Sequence, residues 1–163
     1  EPKTQMGPVA SAEQLNIDEN YIEIGRTEGA ELIHGGKCPE NIPNGYYLEP
    51  TLFAASSKEM RINREEIFGP VASVQCVHDY DEALDVANDT EYGLSSAIFT
   101  KDIDKAFHFA RNSNAGMCHI NGPTIHDEAH VPFGGNGESG VGREGTDADM
   151  EAMTELKWVT VQL

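Results

Sequence analysis

The feature that most constrains this chain is an alternation of short apolar segments with helix-patterned ones between positions 71 and 121. Residues 71–77 are short and apolar, as a buried strand is. Tyr80, Ala83, Leu84 and Ala87 follow at i, i+3, i+4 and i+7, the spacing that lines one face of an α-helix. Residues 95–99 form a second apolar segment, entered through Tyr92-Gly93-Leu94. Ile103, Ala106, Phe107 and Ala110 repeat the helical spacing, and residues 117–121 make a third apolar segment. This order predicts an α/β fold with a parallel β-α-β-α-β sheet, because neighbouring parallel strands need a crossover, and such crossovers are right-handed. Ligands gather beyond the carboxyl ends of such strands. The loops after Val77, Phe99 and Asn121 are therefore where function is expected.

The flanks are read by their caps and breakers. Ser11, followed three residues later by Gln14, has the pattern of a capping box, and Gly29 is a helix stop. A helix is expected over 12–28 with Leu15, Tyr21 and Ile22 inward, then a strand over 31–34 closed by Gly35-Gly36. A loop with Pro39, Pro43 and Gly45 leads to an extended stretch over 46–53. Beyond Asn121 a long loop carries Pro123, Pro132 and a glycine cluster over 134–145. A short helix over 148–154 should precede a last strand over 157–162, where Trp158, Thr160 and Gln162 alternate with Val159, Val161 and Leu163. A terminal strand of this kind adds to its own sheet or pairs with another subunit.

Charge narrows the partners. Twenty-eight acids against eleven Lys and Arg give a formal charge of −17 over 163 residues. Such a field repels phosphate backbones and anionic lipid, so neither nucleic acid nor a membrane surface is an expected partner. The acids are spread along the chain, which suits a solubilising surface or a surface adapted to high salt. Cys38, Cys76 and Cys118 are too far apart for a C-x-x-C pair and too few for a disulfide framework, which fits a reducing, cytoplasmic compartment. No apolar run approaches the roughly 18 residues that span a bilayer. Of the six histidines only His126 and His130 have ligand spacing, and they fall in a loop, so no metal site is expected. The chain starts without Met in what reads as a loop, as a piece of a larger protein does.

Three motifs carry chemistry. In Glu65-Glu66-Ile67-Phe68-Gly69-Pro70-Val71, two carboxylates enter an apolar turn that runs into a buried strand. A carboxylate beside a ring suits a nucleotide, accepting ribose hydroxyls while the ring packs on a heterocycle; the plain alternative is a surface acid followed by a core Phe. Residues 135–140 match G-x-G-x-x-G, but no apolar strand precedes them, so the dinucleotide reading is rejected in favour of a packed glycine loop. Cys118, His119, His126 and Asp127 make a nucleophilic set conceivable. Adjacent strand residues point to opposite faces, however, so Cys118 and His119 do not pair directly, and Cys118 reads as a core cysteine.

Taken together, these segments resemble the aldehyde dehydrogenase superfamily. The stretch Arg64-Glu65-Glu66-Ile67-Phe68-Gly69-Pro70-Val71 resembles its E-E-I-F-G-P-V signature. Gln5-Met6-Gly7-Pro8, the Gly29-Ala30 and Gly35-Gly36 spacing, Tyr92-Gly93-Leu94-Ser95 and Pro132-Phe133-Gly134-Gly135 follow the family order. So do Ser139-Gly140-Val141-Gly142-Arg143-Glu144 and Thr154-Glu155-Leu156-Lys157. The resemblance implies the C-terminal part of an NAD(P)-dependent enzyme that oxidises an aldehyde to a carboxylic acid. Residues 1–150 would be part of the catalytic domain, and 151–163 a helix end with an oligomerisation strand that makes a homo-oligomer. It implies that Glu66 holds the nicotinamide ribose, that Phe68 contacts the nicotinamide side of NAD or NADP, and that Phe133 walls the aldehyde pocket. Ile125 and His126 fall in the substrate-entry loop. In the family the nucleophilic cysteine, its glutamate base and most of the Rossmann domain lie upstream. None of Cys38, Cys76 and Cys118 matches the nucleophile, so no catalytic residue is expected here. Gly137 stands where many relatives have Lys. The segment 119–128 and the ending 156–162 resemble the salicylaldehyde, benzaldehyde and vanillin dehydrogenases. The alternatives are a non-catalytic folded or oligomerisation module derived from that family, or a small thiol hydrolase built on Cys118.

Overall fold

The computed structural model describes residues 3–42 and 44–163, so the loop readings for Glu1, Pro2 and Pro43 lie outside the described residues. The chain divides into two compact units, Glu1–His78 and Asp79–Leu163, a division that falls inside the span 1–150.

In the first unit, α1 (Ala12–Glu28) is followed by β1 (Glu31–His34), β2 (Thr51–Ala54), α2 (Arg61–Arg64) and β3 (Val71–Ser73). Ser11 caps α1, its hydroxyl accepting from the Gln14 N–H at 3.2 Å, and Gly29 ends it in a left-handed conformation, φ 94°. Only half of the expected capping box forms, because the Gln14 side chain reaches Asp18 and the Ile67 carbonyl instead of returning to the cap. α1 buries Ile22 and Gly25, with Leu15 and Tyr21 packed partly buried beside them. At Gly25 an added Cβ would come within 3.0 Å of the Phe53 ring, so the helix can approach the sheet only because that position is bare. Phe53 is fully buried at the centre of a cluster with Ile22, Ala30, Leu48, Ile62 and Ile67. β2 is the middle strand, antiparallel to β1 and parallel to β3.

The strand expected over 71–77 stops at Ser73. Ser73 pairs with Phe53 near the end of β2, and Val74 makes one further bond to the Phe53 carbonyl. Beyond that point no strand pairing continues among the described residues, and Val74, Cys76 and Val77 are exposed. The short helix α2 has too few residues to show a period and was not expected.

The second unit contains α3 (Tyr80–Asn88), β4 (Tyr92–Gly93), β5 (Ser95–Ile98), α4 (Ile103–Asn112), β6 (Met117–Ile120), β7 (Asn136–Gly137) and α5 (Thr146–Ala152). Asp79 caps α3 by accepting from the Glu82 N–H, and Asp102 caps α4 by accepting from the Asp104 and Lys105 N–H groups. β5 and β6 are parallel, in register from Ser95 with Met117 to Ile98 with Ile120, with α4 as their connection. This strand–helix–strand unit is the expected one.

Three expectations are corrected. β3 pairs with β2, and the single parallel sheet through all three segments is not found among the described residues, whose strands make three separate sheets. α4 buries Ala106 and Phe109, whereas Ile103 and Phe107 are exposed, so its inward face is rotated from the one expected. Residues 157–162 join no ladder among the described residues, and Trp158, Val159 and Val161 are exposed. A strand needs a second backbone to satisfy its N–H and C=O groups, and alternation of side chains does not supply one.

Candidate functional site

The Glu65–Val71 turn links α2 to β3. Ile67 is its buried anchor, inserted into the first unit's core. The next residue, Phe68, has φ 59°, a left-handed conformation uncommon for a bulky side chain, and its ring is 82% exposed. Ring burial therefore does not stabilise this conformation. The neighbouring bonds do: Gln14 Nε2 donates to the Ile67 carbonyl at 3.0 Å, the Val71 N–H to the Gly69 carbonyl at 2.8 Å, and the Thr51 N–H to the Pro70 carbonyl at 2.8 Å. Backbone strain of this kind is found at sites that bind or react.

The two adjacent carboxylates have different surroundings. Glu65 accepts both arms of the Arg61 guanidinium at 2.8 Å each and the Tyr21 hydroxyl at 2.6 Å. These bonds hold the Glu65 carboxyl down at about 2. Glu66 is exposed and has no hydrogen-bond partner among the described residues. Glu65 thus braces α2 against α1, and Glu66 has its carboxylate available beside the exposed Phe68 ring.

In the second unit the glycine loop is closed on itself. Phe133 and Glu144 exchange both backbone bonds, at 2.9 and 2.8 Å. The Arg143 guanidinium donates to the Gly135 carbonyl at 2.8 Å, the Gly142 carbonyl at 2.7 Å and Asn136 Oδ1 at 2.7 Å. Ser139 Oγ accepts from the Gly93 N–H at 2.9 Å. A Cβ at Gly116 would lie 2.1 Å from the Gly134 carbonyl oxygen, so the loop packs directly on bare backbone. Half-buried Phe133 lines a cavity of about 950 Å³ with Leu94, Arg143, Glu144 and Met153.

Ile125 is 90% exposed. His126 lies 3.1 Å from Glu128 and edge-on to the His119 ring, centroids 5.9 Å apart. It lines a smaller cavity of about 290 Å³ with Cys118, His119, Asp127 and Pro132. Glu66 and Phe68 thus share one turn of the first unit, while His126 and Phe133 of the second line two different cavities. Cys118 is half-buried and has no hydrogen bond to His119, His126 or Asp127 among the described residues, so it has no base in contact. Cys38 is exposed beside Glu19, and burial together with that carboxylate pushes its thiol up, away from the reactive thiolate. No group of three or more His, Cys, Asp or Glu is arranged to hold a metal ion, and no helix is long and apolar enough to cross a membrane, among the described residues.

Sequence reading missed the support behind the turn, namely Gln14, Asp18 and the Arg61–Glu65–Tyr21 set. The available signal was the i, i+4 placement of Gln14 and Asp18, which puts two polar groups on one helix face.

Comparison with known proteins gives a consistent result. The aldehyde dehydrogenase family matches residues 1–159. The betaine aldehyde dehydrogenase of Mesorhizobium japonicum is 42% identical over 164 residues, covering 99% of this chain and 34% of that protein. The vanillin dehydrogenase of Pseudomonas fluorescens is 41% identical over 162 residues, covering 99% of this chain and 33% of that protein. A mutant of the P. syringae indole-3-acetaldehyde dehydrogenase, solved in complex with NAD+ and IAA, superposes with a TM-score of 0.93 at 39% identity, over 100% of this chain and 33% of that one. The chain spans about a third of the length of the curated relatives it matches.

Proposed function

Because the chain belongs to the aldehyde dehydrogenase family, we propose that the whole protein oxidises an aldehyde to a carboxylic acid with NAD or NADP, and that this chain supplies part of both binding sites. The observation that carries the proposal is the turn in which an exposed Phe68, held left-handed by its neighbours, stands beside the unpartnered Glu66. Glu66 would accept the nicotinamide ribose hydroxyls, and Phe68 would pack against the nicotinamide side. The bound nicotinamide would supply the hydride acceptor.

Phe133 would wall the aldehyde pocket, with Ile125 and His126 at its entrance. The nucleophilic thiol would come from the part of the protein outside this third. Among the described residues Cys118 has no base in contact, and Cys38 meets only the Glu19 carboxylate, which with burial pushes its thiol up and away from the thiolate. An aromatic aldehyde is the proposed substrate class, on the likeness of residues 119–128 to the aromatic-aldehyde branch. The exposed Trp158, Val159 and Val161 suit a terminal strand completed by a second copy of the protein, with residues 1–150 forming part of the catalytic domain.

The test is to express the complete protein, with the gene extended upstream of Glu1, and to follow NADH or NADPH by absorbance. Benzaldehyde-dependent reduction, with betaine aldehyde a poorer substrate, is expected. The 163-residue chain alone should give none. Turnover by the isolated chain that disappears in Cys118→Ala would make Cys118 the nucleophile. A complete protein that reduces neither cofactor with any aldehyde would favour the non-catalytic module.

A further inference from the structure

Asp18 has no exposed surface. Its Oδ1 accepts from Gln14 Nε2 at 2.7 Å, and that same nitrogen donates its other hydrogen to the Ile67 carbonyl at 3.0 Å. Its Oδ2 is buried with no hydrogen-bond partner among the described residues. A Cβ at Gly69 would fall 2.0 Å from Oδ1 and 2.5 Å from Oδ2, so the carboxyl bears directly on the bare residue after Phe68. Burial pushes the carboxyl up from its usual range. A buried carboxyl with one hydrogen bond is costly compared with an apolar side chain of the same size. An apolar side chain could fill the space, but it could not orient the Gln14 amide.

The geometry therefore closes a chain of contacts from α1 to the turn. Asp18 fixes the Gln14 amide, Gln14 holds the Ile67 carbonyl, and Asp18 itself limits where Gly69 can lie. Phe68 sits between the two fixed residues, with its ring in solvent and its backbone left-handed. We propose that Asp18 is a positioning residue for this turn: acting through Gln14 and against Gly69, it fixes the backbone that presents Phe68 and Glu66. As a role in cofactor binding, it rests on the reading of Glu66 and Phe68 given above.

Two measurements test it. The first is hydrogen exchange of residues 66–69 in the 163-residue chain. The second is NAD affinity, set against aldehyde KM, in the complete dehydrogenase. Asp18→Leu removes the acceptor and should speed local exchange and weaken NAD by about tenfold each, the scale of one lost charge-assisted hydrogen bond, with aldehyde KM unchanged. Asp18→Asn keeps the acceptor and the shape, and should stay within about twofold of the parent on both counts. If Asp18→Leu does not fold, Gln14→Met breaks the same link from the helix surface and should reproduce both effects. Folded Asp18→Leu or Gln14→Met proteins with parental exchange at 66–69 overturn the proposal. So does a loss spread evenly over NAD, aldehyde and the whole first unit, which would mark a merely structural residue. Glu66→Gln and Phe68→Ala are the controls. If they leave NAD affinity unchanged, the cofactor reading has failed, and exchange at 66–69 alone then decides whether Asp18 fixes the turn. If they weaken NAD while Asp18→Leu does not, the cofactor reading stands and the role of Asp18 alone is refuted.

Discussion

The two compact units reach order by different means. The first gathers Ile22, Ala30, Leu48, Phe53, Ile62 and Ile67 into one buried cluster under α1. In the second, the buried hydrophobic residues among those described are Ala106 and Phe109, while Phe99, Phe107, Val141, Met153, Leu156 and Trp158 are exposed. Both units contain a parallel strand pair and a well-capped helix, so the elements themselves do not account for the difference. The first unit is held by apolar packing. The second is held by caps at Asp79 and Asp102 and by the Arg143 bonds that close the glycine loop. Apolar surface left open on this scale is what a protein–protein or ligand interface uses.

The comparison breaks most readily at its two phenylalanines. Phe53→Ala, at a fully buried position, should cost about 3–5 kcal/mol in urea unfolding, through lost contacts and the cavity left behind. Phe99→Ala, at a ring 73% exposed, should stay within about 0.5 kcal/mol. A Phe99→Ala cost as large as that of Phe53→Ala would mean that the second unit has an apolar core after all.

A pair of glycines sharpens the account of the second unit. Gly116→Ala puts a methyl against the Gly134 carbonyl and should cost about 1–3 kcal/mol by overpacking, with faster amide exchange at Phe133 and Glu144. Gly122→Ala meets nothing closer than 3.8 Å and should be near neutral, within about 0.5 kcal/mol. Equal effects of the two would show that loop closure is not what orders this unit.

The smallest effect concerns the brace on the first unit. The Glu65 carboxyl is held at about 2, below the ordinary 4.5. A depressed folded value means that the unfolded chain binds the proton more readily. The contribution is therefore fully present above about 4.5 and is lost as pH falls toward about 2. In thermal melts, Arg61→Ala should lie below the parent at neutral pH, and the gap should close over that acid window. The pair is on the surface, so the gap should be small. A gap independent of pH would show that Arg61 acts through its contact with the Tyr21 ring and not through the Glu65 charge.

Much of this protein was legible in its residues. Ser11 and Gly29 bounded α1, the helical spacings located α3 and α4, and the β5–α4–β6 unit formed as read. These are local properties: a cap, a stop or an apolar period is set by residues a few positions apart. The ordered motifs identified the family for the same reason, since they are strings read in place. The partner of β3 was not legible, because a short apolar strand carries no mark of which other strand lies beside it. The inward face of α4 shifted because Phe109 reached the interior and Phe107 did not, a choice made by whatever packs against the helix. The alternation over 157–162 describes a chain able to pair, without supplying a backbone to pair with.

Within the turn, sequence alone determined that two carboxylates, an aromatic ring and a Gly-Pro stop would lie next to one another. The resemblance singled out Glu66, but the residue types by themselves gave no reason for the two carboxylates to differ. The tertiary structure supplied it, by bringing Arg61 and Tyr21 onto Glu65 and leaving Glu66 without a hydrogen-bond partner among the described residues. It also made Phe68 exposed and left-handed, through Gln14 and Asp18, some fifty positions away along the chain. The physical reason is common to both: a residue's chemistry is written in its side chain, but its charge state, exposure and backbone angle are set by neighbours that the chain brings near only by folding.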